Sequence, residues 1–203
     1  LKQNYEKGRL YAERSYEYNS ENTSTQFLLS QIHLKENQFI QANQKIDSLL
    51  KGEPDRAKYL ERKIFILLKQ NDEEAVIPYI RKCLRKAPKN WKYYYYAGIA
   101  LTLESHYQRG FWFLKNAEML SSKNSLVLLS LAYNRLKGGL KNEAGEYTDR
   151  FLNLIGTEKV AQLLNRMDSY STYIPIQFNS MRPYIAERIK ANISETIDNL
   201  NEI

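Results

Sequence analysis

The chain has 203 residues, 43% of them hydrophobic, with 8 glycines and 5 prolines, an ordinary composition for a folded domain and unlike a disordered or collagen-like chain. No apolar run approaches the 18 or so residues of a transmembrane helix, and the longest, Leu126 to Tyr133, is interrupted by Ser130, so no membrane insertion of this segment is expected. The formal charge is +7, and the lone Cys83 excludes an internal disulfide.

In chain order, residues 3 to 19 read as one helix, rich in Tyr and Glu and ending at Asn19-Ser20. Thr23 or Ser24 caps the next, Thr25 to Lys35, whose apolar stripe is Phe27, Leu28, Ile32 and Leu34. Gln38 to Leu50 is its partner, with Phe39, Ala42, Ile46, Leu49 and Leu50 at spacings of three and four. Pro54 and Asp55 open a helix over about Arg56 to Lys69, and Asp72 opens Glu73 to Lys86. Trp91 to Leu103 with Tyr107 to Leu120, and Ser125 to Lys137 with Lys141 to Leu154, complete the pairs. Joined by such short turns, the two helices of each pair must fold back antiparallel. Thr157 to about Asp168 is a further helix, and Ser169 to Asn179, with Pro175, reads as a loop. Pro183 suits the first turn of a last helix, along which Ala186, Ile189, Ile193, Thr196, Leu200 and Ile203 recur at threes and fours. That pattern fits a helix capping the last pair, or the start of a coiled coil through which copies self-associate.

The pairs repeat at a step of 34. Gly110 shares a column with Gly8, Ala42, Val76 and Ala144; Gly98 shares one with Ser30 and Ala132, although Ile64 interrupts it. Asn37, Asn71, Ser105 and Gly139 share the turn column, and Pro54 and Pro88 another. A fixed period of this length marks a stacked-repeat architecture. Because a glycine inside a helix costs roughly 1 kcal/mol against alanine, Gly98 and Gly110 are expected at close helix crossings.

These columns resemble the tetratricopeptide repeat family, whose pattern sets a large residue then a small one in the first helix, a small residue and a later alanine in the second, and a closing proline. The third repeat offers Tyr94, Gly98, Leu101, Gly110, Leu114 and Ala117, with Ser122 in place of proline. The second offers Leu60, Leu67, Val76, Ile80, Cys83 and Pro88; the fourth Leu128, Ala132, Ala144 and Phe151; the first Ala42, Ile46, Leu49 and Pro54. The resemblance covers about residues 3–156 and implies an all-α, right-handed superhelical solenoid of about eleven helices. Its expected divisions are 1–22, the second helix of an incomplete repeat; four repeats over 23–56, 57–90, 91–124 and 125–156; and 157–203, a degenerate repeat, loop and capping helix. The chain reads as a fragment beginning halfway through a repeat.

Catalysis has little to stand on. His33 and His106 lie in different repeats, and no HExxH, CxxC, GxSxG or glycine-rich phosphate loop occurs, so neither enzyme activity nor a cofactor nor a metal is expected. Asp72, Glu73 and Glu74 sit in a first helical turn, where carboxylates complement the dipole. Cys83 falls in a packing column and reads as a buried, inert thiol.

Charge is unevenly spread: residues 75–142 hold 12 basic side chains against only Glu104 and Glu118. Arg81, Lys82, Arg85, Lys86 and Lys89 form the densest part, either a patch for an anionic partner or a solvated helix end. The aromatics of 91–113 crowd the same region, but Tyr93 to Tyr96 spread around their helix and cannot form one stacking platform.

The resemblance also implies that the first helix of each pair lines a concave groove. The expected partner-binding residues are Phe27, Gln31 and Lys35, then Phe65 and Lys69, then Lys92, Tyr95 and Ile99, then Tyr133 and Lys137. Glu61, Phe65, Tyr95 and Ile99 stand where chaperone-binding members carry Lys and Asn, which argues against that carboxylate clamp. The expected function is a non-enzymatic adaptor holding a protein segment in the groove, within a larger assembly, secretion or biogenesis system, in the cytoplasm or a bacterial periplasm. The alternative is an anionic polymer, acidic polysaccharide or nucleic acid, held by region 81–112.

Overall fold

The computed structural model describes residues 2–166 and 176–201, with side chains over 6–162 and 180–192. Among the described residues there are eleven helices and no strand: α1 (Lys2–Tyr18), α2 (Thr23–Lys35), α3 (Phe39–Gly52), α4 (Ala57–Lys69), α5 (Glu73–Lys86), α6 (Trp91–Leu103), α7 (Tyr107–Leu120), α8 (Ser125–Lys137), α9 (Lys141–Ile155), α10 (Thr157–Arg166) and α11 (Ile176–Asn201). None is long and apolar enough to cross a membrane. The chain forms two compact units, Leu1–Lys86 and Ala87–Ile203.

The 34-residue period is written into the backbone. Asn37, Asn71, Ser105 and Gly139 all turn left-handed, with φ of 58, 54, 63 and 80°. At each, the next amide donates back to a carbonyl five residues earlier: Gln38 to His33 (2.8 Å), Asp72 to Leu67 (3.0 Å), His106 to Leu101 (2.8 Å) and Leu140 to Arg135 (2.9 Å). This is a Schellman closure, repeated at each hairpin, and it satisfies carbonyls that the helix end leaves open. The opposite ends are capped from a second column. Asn22, Asn90 and Asn124 accept N–H groups of α2, α6 and α8 through their side chains. Asn22 is therefore the cap that the sequence reading assigned to Thr23 or Ser24.

In the first unit α2 pairs with α3 and α4 with α5, and α3 joins the two hairpins. Phe27, Leu34, Ala42, Ile46, Leu49, Tyr59 and Ile66 form the core, and Ala12 of α1 packs on Leu29 and Ile32. Three ion pairs tie successive repeats: Lys63 to Asp47 (2.7 Å), and Lys82 (2.5 Å) and Lys86 (2.7 Å) both to Asp55. Gly8 is exposed, with no neighbour within 4 Å of where a Cβ would stand.

In the second unit α6 pairs with α7 and α8 with α9. Gly98 and Gly110 face each other at the α6–α7 crossing, where a Cβ on either would stand 3.0 Å from the other's carbonyl oxygen. A methyl at 98 would also come 2.5 Å from Leu114 Cγ, so the crossing closes only without side chains.

The end of the second unit departs from the sequence reading. Residues 167–175 lie outside those described, including 167–168 of the expected tenth helix and most of the expected loop; Ile176 to Asn179 are helical. Pro183 lies inside α11 rather than in its first turn. Proline there forfeits one backbone bond, but Met181, Ile185 and Ile189, at 0, 0 and 8% exposure, bury one face of the helix against Leu128, Leu129, Ala132, Tyr133, Phe151, Leu152 and Val160. Tyr184 Oη donates to the Lys141 carbonyl (3.1 Å) and Arg188 grips Asp149 (2.9 and 2.5 Å), so α11 runs in the direction of α9. The side chains of Ile193, Thr196, Leu200 and Ile203 lie outside the described set.

Candidate interaction surfaces

Short helices with a small-residue column leave their first-helix faces to be covered or exposed case by case. In the first unit, Phe27 is buried at 9% exposure because α4 covers it: the Tyr59 ring lies 5.7 Å away, and Lys58 Nζ and the Arg62 guanidinium sit 3.9 and 5.5 Å from its centroid. Gln31 stays half-buried and Lys35 exposed. Phe65 is also half-buried, packed partly on the core around Leu34 and Ile66. Lys69 Nζ lies 5.7 Å from the Phe65 centroid, one turn away on the same helix. Burial alone pushes the Lys69 ammonium below its ordinary pKa, and no carboxylate among the described residues pairs with it.

The basic patch is divided. Lys82 and Lys86 both hold Asp55, and Lys82 also donates to the Pro54 carbonyl (2.7 Å). The two ammonium groups keep Asp55 well below the usual carboxylate range, at about 2. These cations pin α5 to the turn between α3 and α4. Arg81 and Arg85 remain exposed one turn apart on α5, and Lys89, also exposed, belongs to the second unit.

In the second unit the expected apolar strip is largely absorbed. Ile99 is 1% and Tyr133 6% exposed, which corrects the expectation that both line an open groove. Ile99 is taken into the interior by packing of α6, and Tyr133 by α11, whose Met181, Ile185 and Ile189 share its apolar cluster. Tyr95 remains half-buried, its ring 6.0 Å from Trp91 and 5.5 Å from Tyr96. Lys92 and Lys137 are exposed, Lys137 Nζ lying 5.7 Å from the Tyr133 centroid.

The remaining polar groups read as architecture. Arg135, 3% exposed, stacks on Phe111 at 3.6 Å and donates to Asn134 Oδ1 (2.8 Å), while Asn134 Nδ2 donates to Thr102 Oγ1 (2.7 Å). This buried chain joins α6, α7 and α8, and no sequence motif announced it. His33 Nδ1 lies 2.7 Å from Gln38 Oε1, His106 is exposed, and Cys83 is buried at 2%. Among the described residues no three His, Cys, Asp or Glu stand together as a metal site.

No protein-family model and no curated protein sequence matches the chain. Solved structures do match in fold. MamA from Desulfovibrio magneticus RS-1, residues 41 to its end, aligns at TM-score 0.62 and 18% identity over 81% of this chain and 88% of that one. A MamA RS-1 double mutant aligns at 0.63 and 16% over 76% and 86%, and another MamA crystal structure at 0.62 and 13% over 79% and 93%. MamA is a tetratricopeptide-like helical repeat protein, and at these identities the likeness establishes the fold: all-α, built of tetratricopeptide-like helix pairs.

Proposed function

We propose that the chain is a non-enzymatic interaction scaffold that holds a segment of a partner protein against its first-helix faces, with the principal contact on the first unit. Gln31 and Lys35 of α2 and Phe65 and Lys69 of α4 supply that surface. The observation that carries this reading is the Phe65–Lys69 pair. A half-buried ammonium with no carboxylate on it among the described residues has lost water without gaining an ion pair there. Beside an accessible aromatic edge, it suits a segment bringing both a carboxylate and an apolar side chain. The tetratricopeptide-like fold supports the same reading, because such repeats expose first-helix faces that a folded single domain would bury.

In the second unit the matching column is occupied from within the chain. Leu129 and Tyr133 already hold Met181 and Ile185 of α11, an amphipathic helix on a first-helix face. Tyr95, Lys92 and Lys137 are left as a smaller accessible set. Two of the five cations of the 81–89 patch are engaged by Asp55, which weighs against the anionic polymer as principal ligand.

A photo-crosslinking residue at position 65, introduced into the full-length protein in its native cell, tests the reading. A discrete crosslinked partner that disappears with Lys69→Glu supports it. Absence of any crosslink at 65, or a partner indifferent to Lys69→Glu, refutes the site.

A further inference from the structure

The α7 helix carries a stripe that hairpin packing does not use. Arg109, Trp112, Asn116 and Met119 follow one another at three, four and three residues, on the side opposite the buried Gly110, Leu114 and Ala117. Trp112 is 58% and Met119 72% exposed. Leu120 at the end of α7 and Leu126 at the start of α8 are also exposed, at 42 and 37%. The Trp112 ring is set edge-on against Phe113 at 4.9 Å, and Phe113 in turn meets Tyr94 at 6.2 Å, so the indole is braced although exposed. Asn116, the uncharged polar residue within the stripe, is half-buried, and its Nδ2 donates to the Trp112 carbonyl one turn back on the same helix (2.8 Å).

The exposed charges on α7 and on the turn after it have one sign. Arg109 and Lys123 stand exposed near the two ends. Glu118, the acid of α7, is 7% exposed and already held by Lys115 and by Arg150 (2.5 Å).

We propose that this face of α7 is a peripheral docking surface for an anionic lipid bilayer. A helix lying in the headgroup boundary needs an apolar stripe, an indole at the interface and cations that reach lipid phosphates, and α7 has each. No spanning helix is required. The exposed aliphatic side chains, Met119, Leu120 and Leu126, separate this occupant from nucleic acid: such side chains enter acyl chains but do not stack on bases. The surface is independent of the Phe65–Lys69 site, so either assignment can fail alone.

The test uses the full chain with Trp91→Phe, which leaves Trp112 as the sole remaining indole of the 2 in the sequence. It is mixed with vesicles of about one-third phosphatidylglycerol in phosphatidylcholine. Co-sedimentation with a shift of Trp112 emission to shorter wavelength is expected, at least about tenfold weaker on pure phosphatidylcholine. Trp112→Ala with Met119→Ala should weaken binding about tenfold or more, and Arg109→Glu with Lys123→Glu should remove the preference for phosphatidylglycerol. These four positions are exposed, and circular dichroism confirms that each variant is folded. No co-sedimentation, unchanged binding by the apolar variant, or retention on heparin or single-stranded DNA in place of vesicles overturns the proposal. The last result would return the surface to the polymer reading.

Discussion

At the scale of single residues, the hairpin turns make different demands on the same conformation. Left-handed φ costs an ordinary L-residue roughly 1–2 kcal/mol, glycine nothing, and asparagine an intermediate amount. Gly139 meets the demand freely and Asn37 and Asn71 tolerably, whereas Ser105 at φ 63° is strained. Its hydroxyl accepts from Tyr107 Oη (3.2 Å) in an exposed setting that adds little. Ser105→Gly should therefore raise stability by about 0.5–1 kcal/mol in a urea titration; no gain would mean that the turn is not limiting there. The opposite sign is expected at the glycine crossing. A methyl at position 110 would stand 2.8 Å from Thr102 Oγ1, 2.9 Å from Asn134 Nδ2 and 3.0 Å from the Gly98 carbonyl oxygen. Two of these belong to the buried network of Asn134 and Thr102, and the third is backbone that cannot swing aside. The helix propensity gained by alanine, about 1 kcal/mol, is outweighed, so Gly110→Ala should lose about 1–3 kcal/mol. Equal or higher stability would show that α6 and α7 cross less tightly than this geometry requires.

At the scale of elements, the strength of the local signals explains what the sequence disclosed. The hairpins were legible because each boundary has its own chemistry: Asn37, Asn71, Ser105 and Gly139 close the first helices, and α5 to α8 fall at the limits their patterns set. The asparagine column at 22, 90 and 124 was equally available in the sequence and marks the caps better than Thr23 or Ser24 did. α11 was less legible. Proline normally opens a helix, so Pro183 pointed to a start that tertiary packing of Met181 overrides. The candidate site suffered from the same cause: the first-helix register placed Tyr133 correctly, but whether it faces solvent depends on a helix more than 40 positions later. Phe65 and Lys69 had no such cover in their own unit and stayed accessible in part. Because α11 closes the end of the second unit, its polar anchors should matter to that unit alone. Arg188→Met removes the two-pronged grip on Asp149, a partly exposed pair whose loss should cost about 1 kcal/mol. Hydrogen exchange should quicken in α11 and the neighbouring parts of α8 and α9, with α2 to α5 unchanged. Uniform protection across α11 in the variant would assign the docking to its apolar face alone.

For the whole molecule, pH is the variable that reaches both units together. Asp55 is held at about 2 by Lys82 and Lys86. Asp149 is lowered by Arg188, and Glu118 is lowered because Lys115 and Arg150 outweigh the burial that opposes them. A carboxylate whose folded pKa lies below its unfolded value stabilises the native state above the unfolded value, and that contribution vanishes as pH falls through the folded one. For Asp55 the window runs from 3.8 down to about 2. Stability should thus be level near neutrality and fall below about pH 4.5, where unfolded carboxylates begin to bind protons first. Charge adds to this loss. With its 23 acids protonated the chain keeps 30 Lys and Arg and 2 His unopposed, a self-repulsion that favours expansion. Moderate salt should screen the repulsion and recover part of the acid loss, but it cannot restore pairs whose carboxylates are already neutral. Urea midpoints measured from pH 7 to 2, with and without salt, separate the two contributions. Asp55→Asn should show a shallower fall than the parent between pH 4 and 2 at either salt concentration. If its profile matches the parent throughout, Lys82 and Lys86 are not held by that carboxylate in solution, and both cations return to the exposed basic face of α5.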